Sequence, residues 1–158
     1  MLLFATGCSS GPSADGAPET TGSSEPPRDL RVERISSNAP GEGPEKPRVV
    51  VAASAAALSD ATGTNIKNSG DGTYLAAYWG EKPTGGYSMS VRSARLEGSR
   101  VMVELLLKEP PRDAILTQAL TYPHAVAVIW DLSPEGKNFS FKDEKGRRLG
   151  WPVRRAGG

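Results

Sequence analysis

The residue types that most often carry enzyme chemistry are scarce in this chain of 158 residues, where His124 is the single histidine and Cys8 the single cysteine. No serine lies in a nucleophile motif that could use His124, and the scattered carboxylates give no zinc or calcium ligand spacing. The adjacent Asp143 and Glu144 lie in a polar, turn-forming stretch and are interpreted as solubility residues. The sequence therefore predicts a non-enzymatic protein with no metal site and no cofactor.

A loop rich in turn-forming residues is the most distinctive stretch of the sequence. Pro83 lacks an N–H donor, and Gly85 and Gly86 permit positive φ, so the chain must turn here. Function often concentrates on loops that rigid strands hold in place. We therefore interpret this loop as a partner-binding site that ends in a buried tyrosine, the alternative being a plain connection between two strands. Its six residues are Lys82, Pro83, Thr84, Gly85, Gly86 and Tyr87.

Two strands are predicted to hold this loop. The preceding residues 74–79 form a mostly apolar run, and after the loop Tyr87, Met89 and Val91 alternate with polar residues, as in a half-buried strand. A turn at 97–100 then leads into a further alternating strand over 101–107.

The remaining elements are also mostly strands. The β-branched run 48–52 predicts a first strand, and a short helix is expected over 54–61, with Ser54 as its N-cap and Gly63 as its stop signal. Residues 114–121 suit a strand or a helical turn, and their period of two favours a strand; 125–130 is a strongly apolar strand. Frequent turns and a single helix predict an all-β fold, an antiparallel sandwich or barrel-like domain.

The N-terminal part of the chain has a different composition. Seven of the thirteen prolines precede Val49, together with many Gly, Ser, Asp and Glu residues and few apolar ones. Such a stretch buries too little apolar surface to offset its chain entropy. We therefore predict a disordered tether over residues 9–48 and a folded domain over residues 49–158.

Residues 1–8 resemble the end of a bacterial lipoprotein signal peptide, in which small residues precede the cysteine that receives the lipid. No basic residue and only a short apolar run precede Cys8, so the signal is interpreted as truncated, with its true start upstream. The resemblance implies a lipid anchor at Cys8 that holds the protein to the membrane in the extracytoplasmic cell envelope. The alternative is a free thiol in a disordered tail.

Charge gives no indication of a nucleic-acid partner. The formal net charge is +1, and no basic block is interleaved with aromatic residues. The basic pairs near the C-terminus are interpreted as solvated charges. A protein partner is the better expectation.

Three motifs together resemble the C-terminal domain of the PrcB family, named for a lipoprotein subunit of a bacterial surface protease complex. They are residues 80–88 (GEKPTGGYS), the strand 101–111 with its double proline, and residues 117–123 (TQALTYP). The resemblance spans about residues 73–143. It implies a partner role outside the cytoplasm, in which the domain helps a secreted or surface protease to assemble or to remain stable.

A second resemblance gives an alternative function. Residues 82–87 are similar to a loop of chagasin-type cysteine-protease inhibitors, which insert loops of an immunoglobulin-like domain into a protease cleft. Lys82 and Gly85 replace residues of that motif, and the other two inhibitory loops have no counterpart here. A third alternative is a structural or ligand-binding envelope lipoprotein without a protease partner.

Overall fold

The computed structural model describes residues 25–35, 42–67 and 70–157. Within these ranges the chain forms ten strands and one helix. The strands are β1 (Arg28–Leu30), β2 (Val32–Ile35), β3 (Arg48–Ala52), β4 (Gly72–Tyr78), β5 (Ser88–Glu97), β6 (Arg100–Lys108), β7 (His124–Trp130), β8 (Asn138–Asp143), β9 (Arg148–Leu149) and β10 (Val153–Ala156); the helix is α1 (Ala55–Thr62). In the part of the chain that the structure describes, no helix is long and apolar enough to cross a bilayer.

The strands form two five-stranded sheets that pack face to face. Sheet A has the order β1-β5-β6-β8-β9, and sheet B has the order β10-β3-β4-β7-β2. The all-β sandwich with one short helix is thus confirmed. The structure adds two parallel pairs, β10 with β3 and β6 with β8, to the antiparallel ladders.

The main core lies between the sheets and is built by alternating side chains. Val101, Val103 and Leu105 on β6 are fully buried, which confirms the predicted inner face of that strand. Opposite them, Val49, Val51, Leu75, Ala77, Ala127 and Ile129 come from sheet B.

A second apolar cluster covers the outer face of sheet B, where α1 packs. Ser54 caps the helix by accepting a hydrogen bond from the Ala57 amide at 3.1 Å, and Gly63 ends it with φ of 69°. Leu58 is fully buried against Tyr74, Val50 and neighbouring residues. The predicted helix and both of its end signals are therefore confirmed.

The prediction that ordered structure begins at Val49 is wrong for residues 28–35. β1 pairs with β5 in sheet A, and β2 pairs with β7 in sheet B, so this segment joins one edge of each sheet. Leu30 is buried in the main core, and Val32 packs against it. The prediction was based on the average composition of residues 9–48. That average did not reveal the eight residues, 28–35, that strand pairing stabilises. Cys8, the rest of residues 1–24 and residues 36–41 lie outside the described residues.

The predicted strand over 114–121 is also wrong. This segment forms one antiparallel bridge, between Thr121 and Lys82, and is otherwise irregular. Its alternating apolar residues are not buried in a core, since Leu116 is only partly buried and Leu120 is 58% exposed, and the neighbouring Ile115 is fully exposed. A period of two predicts a strand only where the chain has a neighbour with which to pair.

The turn from β8 to β9 is built around the side chain of Asp143, which is 1% exposed. One carboxylate oxygen accepts hydrogen bonds from the Lys145 and Arg147 amides at 3.0 and 2.8 Å, and the other pairs with the Arg147 guanidinium at 2.6 Å. Burial acts to raise the pKa of Asp143, but the hydrogen bonds and charge of Arg147, with the Lys145 amide, outweigh it and hold that pKa below its usual range. Asp143 is a structural residue and not a solubility residue.

We predict that removing residues 1–35 lowers the melting temperature, whereas removing residues 1–24 leaves it unchanged. Burial of Leu30 alone is worth about 1.5–3 kcal/mol, so the longer deletion should lower the melting temperature by at least about 5 °C. Thermal unfolding followed by circular dichroism measures both. Equal melting temperatures for the two truncated chains would show that β1 and β2 do not stabilise the sandwich.

We predict that Asp143→Asn destabilises the domain at pH 7 and that this difference disappears in acid. The folded-state pKa is depressed, so the carboxylate contributes stability above its unfolded pKa of about 3.9 and loses it as pH falls through the folded value. Urea titrations of both proteins at a series of pH values from 7 downward test this, and the difference should shrink as the pH falls below about 3.9. A difference that stays constant with pH would assign the effect to geometry instead of charge.

Candidate functional site

The predicted binding loop is paired with a second loop. The Lys82 amide donates to the Thr121 carbonyl at 2.8 Å, and the Thr121 amide donates back at 2.9 Å. Farther along, the Gly85 amide donates to the Thr117 carbonyl at 3.1 Å. Residues 80–87 and 111–122 therefore form one surface, which we call the loop pair.

Side chains fasten the loop pair at further points. The Thr121 hydroxyl donates to the Thr84 carbonyl at 2.8 Å, and the Tyr122 hydroxyl donates to the Glu81 carboxylate at 2.9 Å. The Glu81 hydrogen bond and the nearby negative charge raise the pKa of Tyr122. The backbone is held on the other side as well, because the Glu81 amide donates to the Glu45 carbonyl at 3.0 Å. The loop is thus held by hydrogen bonds on both sides.

An aromatic and lysine cluster closes the base of the loop. The rings of Trp79 and Tyr87 meet edge to face with centroids 5.7 Å apart, and the Lys82 ammonium lies 4.5 and 5.6 Å from the two centroids. Such contacts stabilise a cation on an aromatic surface. Desolvation lowers the pKa of Lys82, while the charge of Glu109 acts to raise it. Lys82 therefore links the two ends of the loop through its contacts with both rings. Tyr87 is partly buried, whereas the sequence predicted a buried side chain.

The two glycines of the loop have different roles. Gly86 has φ of 84°, and a Cβ there would lie 2.8 Å from the Pro110 Cβ and 3.0 Å from a Leu116 methyl group. Gly85 has no positive φ, and its nearest neighbour would be Thr117 at 3.8 Å. Of the two predicted positive φ positions, only Gly86 requires glycine.

The apolar surface of the loop pair was missed by sequence reasoning. Ile115 and Leu120 are exposed on residues 111–122, and Pro83 is exposed on residues 80–87 of the loop pair. The sequence did contain a signal for this exposed surface. The two apolar residues lie between the prolines at 110–111 and Pro123, and these prolines break strand pairing on both sides.

The structure places most of the other residues that the sequence singled out. All six predicted loop residues lie together in the loop pair, whereas Cys8 lies outside the described residues. His124 is half-buried at the start of β7, where its ring stacks on Tyr78 with centroids 6.1 Å apart. Its Nδ1 lies 3.1 Å from the Tyr122 carbonyl oxygen. These contacts place His124 in the framework beneath the loop pair.

The fold is a β-sandwich that presents a hydrogen-bonded pair of loops at one end. Residues 73–129 match the family model described as PrcB C-terminal, which confirms the predicted resemblance. This part of the chain is therefore similar to the PrcB C-terminal family, and the matched segment runs from β4 to β7 and contains the whole loop pair. No curated protein and no solved structure matches the chain.

We predict that Gly86→Ala destabilises the domain by about 1–3 kcal/mol, because it combines a strained φ with contacts to Pro110 and Leu116. Gly85→Ala is the matched control and should change stability by less than about 0.5 kcal/mol. Urea unfolding of the two variants measures the difference. Equal destabilisation by Gly86→Ala and Gly85→Ala would contradict the prediction that only position 86 requires glycine.

Proposed function

We propose that this domain is a non-enzymatic subunit that helps assemble or stabilise a secreted or surface protease, and that the protease is held on the loop pair. The observation that carries the proposal is the exposure of Ile115 and Leu120 on a surface fixed by hydrogen bonds on both sides. The family match supports the same class of function, since the matched segment contains that surface.

The location of exposed apolar side chains favours this surface over others. Ile115, Leu120 and Val153 are the exposed large hydrophobic residues in the described ranges, and the first two lie on the loop pair. Contiguous exposed apolar surface marks interaction sites, and Ile115 and Leu120 belong to the same segment of the loop pair. A surface already fixed by hydrogen bonds also loses little conformational entropy on binding.

The proposal includes attachment to the membrane through a lipid on Cys8, on the extracytoplasmic side. The small residues before Cys8 support this part of the proposal. Mass spectrometry of the mature protein from its native membrane tests it: the expected result is an acylated cysteine at the new N-terminus, and an unmodified thiol would refute it.

Protease inhibition is the second candidate function. The observation that favours it is the position of Pro83, which is exposed near the tip of a loop that is hydrogen-bonded on both sides. An inhibitor loop needs the same rigidity as an assembly loop, but it must enter the protease cleft and block the substrate. The activity of the bound protease distinguishes the two functions.

We predict that the variant with both Ile115→Ser and Leu120→Ser loses capture of a secreted protease from the native envelope. Each buried aliphatic side chain contributes about 1.5–3 kcal/mol, so recovery should fall at least about tenfold. Val153→Ser changes an exposed apolar residue of β10, outside the loop pair, and should recover as much protease as the parent chain. Quantitative mass spectrometry of proteins bound to the immobilised full chain gives the three recoveries.

The captured protease is then purified and assayed with and without the parent chain. A longer active half-life with unchanged initial rate supports assembly or stabilisation, and a reduced initial rate supports inhibition. Equal recovery of the protease by the double variant would remove the loop pair from the proposal. Failure to recover any protease would favour an envelope lipoprotein without a protease partner.

A further inference from the structure

The first half of β5 has a strand partner on one side only. β6 pairs with β5 along its whole length, but β1 covers only Ala94–Leu96 on the opposite side. At Arg31 the chain leaves sheet A and continues as β2 in sheet B. Among the residues that the structure describes, no strand pairs with the outer side of residues 88–92.

The hydrogen-bond pattern shows which backbone groups face this open side. The Leu107 amide donates to the Glu144 carboxylate at 3.3 Å, on the side of β6 that faces β8. Leu107 lies opposite Met89, so these two residues form a pair without mutual hydrogen bonds. The N–H and C=O groups of Met89, and by alternation those of Val91, therefore point away from β6 toward the open edge.

The regular part of the edge is short. The register of β5 against β6 shifts between Val91 and Ser93, where a bulge ends the open stretch and β1 begins to pair. Residues 88–91 remain regular and opposite consecutive residues of β6. The open position lies along β5 beyond the end of β1, beside β2 and β7 of sheet B.

A groove with mixed apolar and cationic character lies beside this edge. It is a cavity of about 210 Å³ whose lining includes Arg34, Ile35, Met89, Ala125 and Val126. Arg34 is exposed and pairs with no carboxylate in the described ranges, whereas the nearby Arg92 is paired with Glu104 at 3.0 Å. The groove thus offers apolar contacts and one cation that is available to an acidic group.

We propose that the edge of β5 from Met89 to Val91 binds an extended peptide segment of a partner protein, in which apolar and acidic residues alternate. The backbone groups of Met89 and Val91 would bond the peptide backbone, as in other strand-addition sites. Apolar side chains on one face of the peptide would contact Met89, Ala125 and Val126, and an acidic side chain would pair with Arg34. This site goes beyond the proposed function, because it uses the edge of sheet A and not the loop pair.

The test uses a defined probe, an acetylated and amidated heptapeptide of alternating valine and glutamate, with the isotope-labelled full chain. Amide shifts of Met89 and Val91 in the nuclear magnetic resonance spectrum should change on titration and give a dissociation constant. The matched control peptide has the same side chains but carries N-methyl groups on alternate residues, which remove its donors on one edge. It should bind at least about tenfold more weakly.

Protein variants separate backbone recognition from side-chain contacts. Met89→Pro removes the outward N–H without removing a bond to β6, and it should weaken binding of the heptapeptide at least about tenfold relative to Met89→Ala. Arg34→Ala should weaken binding of the glutamate peptide and leave binding of a glutamine version unchanged. The double variant Ile115→Ser with Leu120→Ser should bind the heptapeptide like the parent, which keeps this test independent of the loop pair.

Several results would overturn the proposal. They are absence of binding, equal binding of the N-methylated peptide, and equal binding by Met89→Pro and Met89→Ala. Hydrogen exchange of the free protein gives one more such result. Protection of the Met89 and Val91 amides at every protein concentration would mean that another segment of the same chain covers the edge. Protection that increases with protein concentration would mean that a second copy covers it.

Discussion

The burial of β4 on both of its faces is the constraint on which the rest of the structure depends. Six of its seven residues are buried, and it lies between β3 and β7 in the middle of sheet B. One face contacts sheet A, and the other contacts α1. A strand in that position needs a layer on each side. The short helix is therefore a required third layer, which covers the outer face of sheet B.

The register of β4 with β7 also explains why the loop pair exists. Tyr78, the last residue of β4, lies opposite His124, the first residue of β7. The chain leaving β4 and the chain entering β7 must therefore emerge side by side at the same end of sheet B. The Trp79 amide continues this pairing by donating to the Pro123 carbonyl at 2.9 Å, and the bridge between Lys82 and Thr121 extends it into the loops. The site is thus an irregular extension of a buried ladder.

Sequence reasoning found the elements whose stability is local or strongly patterned. The cap at Ser54, the stop at Gly63 and the alternation in β6 are each determined by a few neighbouring residues, and all were predicted correctly. β1 and β2 were missed because their stability comes from partners more than sixty residues away. The parallel pairs were missed for a similar reason, since strand direction depends on topology and not on residue pattern. In the site, the loop residues were found, but the partnership of Lys82 with two rings and the exposed apolar surface required the fold.

The position of β1 shows at which end of the sandwich the N-terminal chain enters. Arg28, its first residue, lies opposite Leu96 near the end of β5, whereas the loop pair leads into Ser88 at the beginning of that strand. The eight residue steps along β5 from Ser88 to Leu96 separate these points by about 26 Å. The N-terminal chain therefore enters the sandwich at the end opposite the loop pair. Whatever precedes Arg28 is therefore attached to the domain at the end remote from the loop pair.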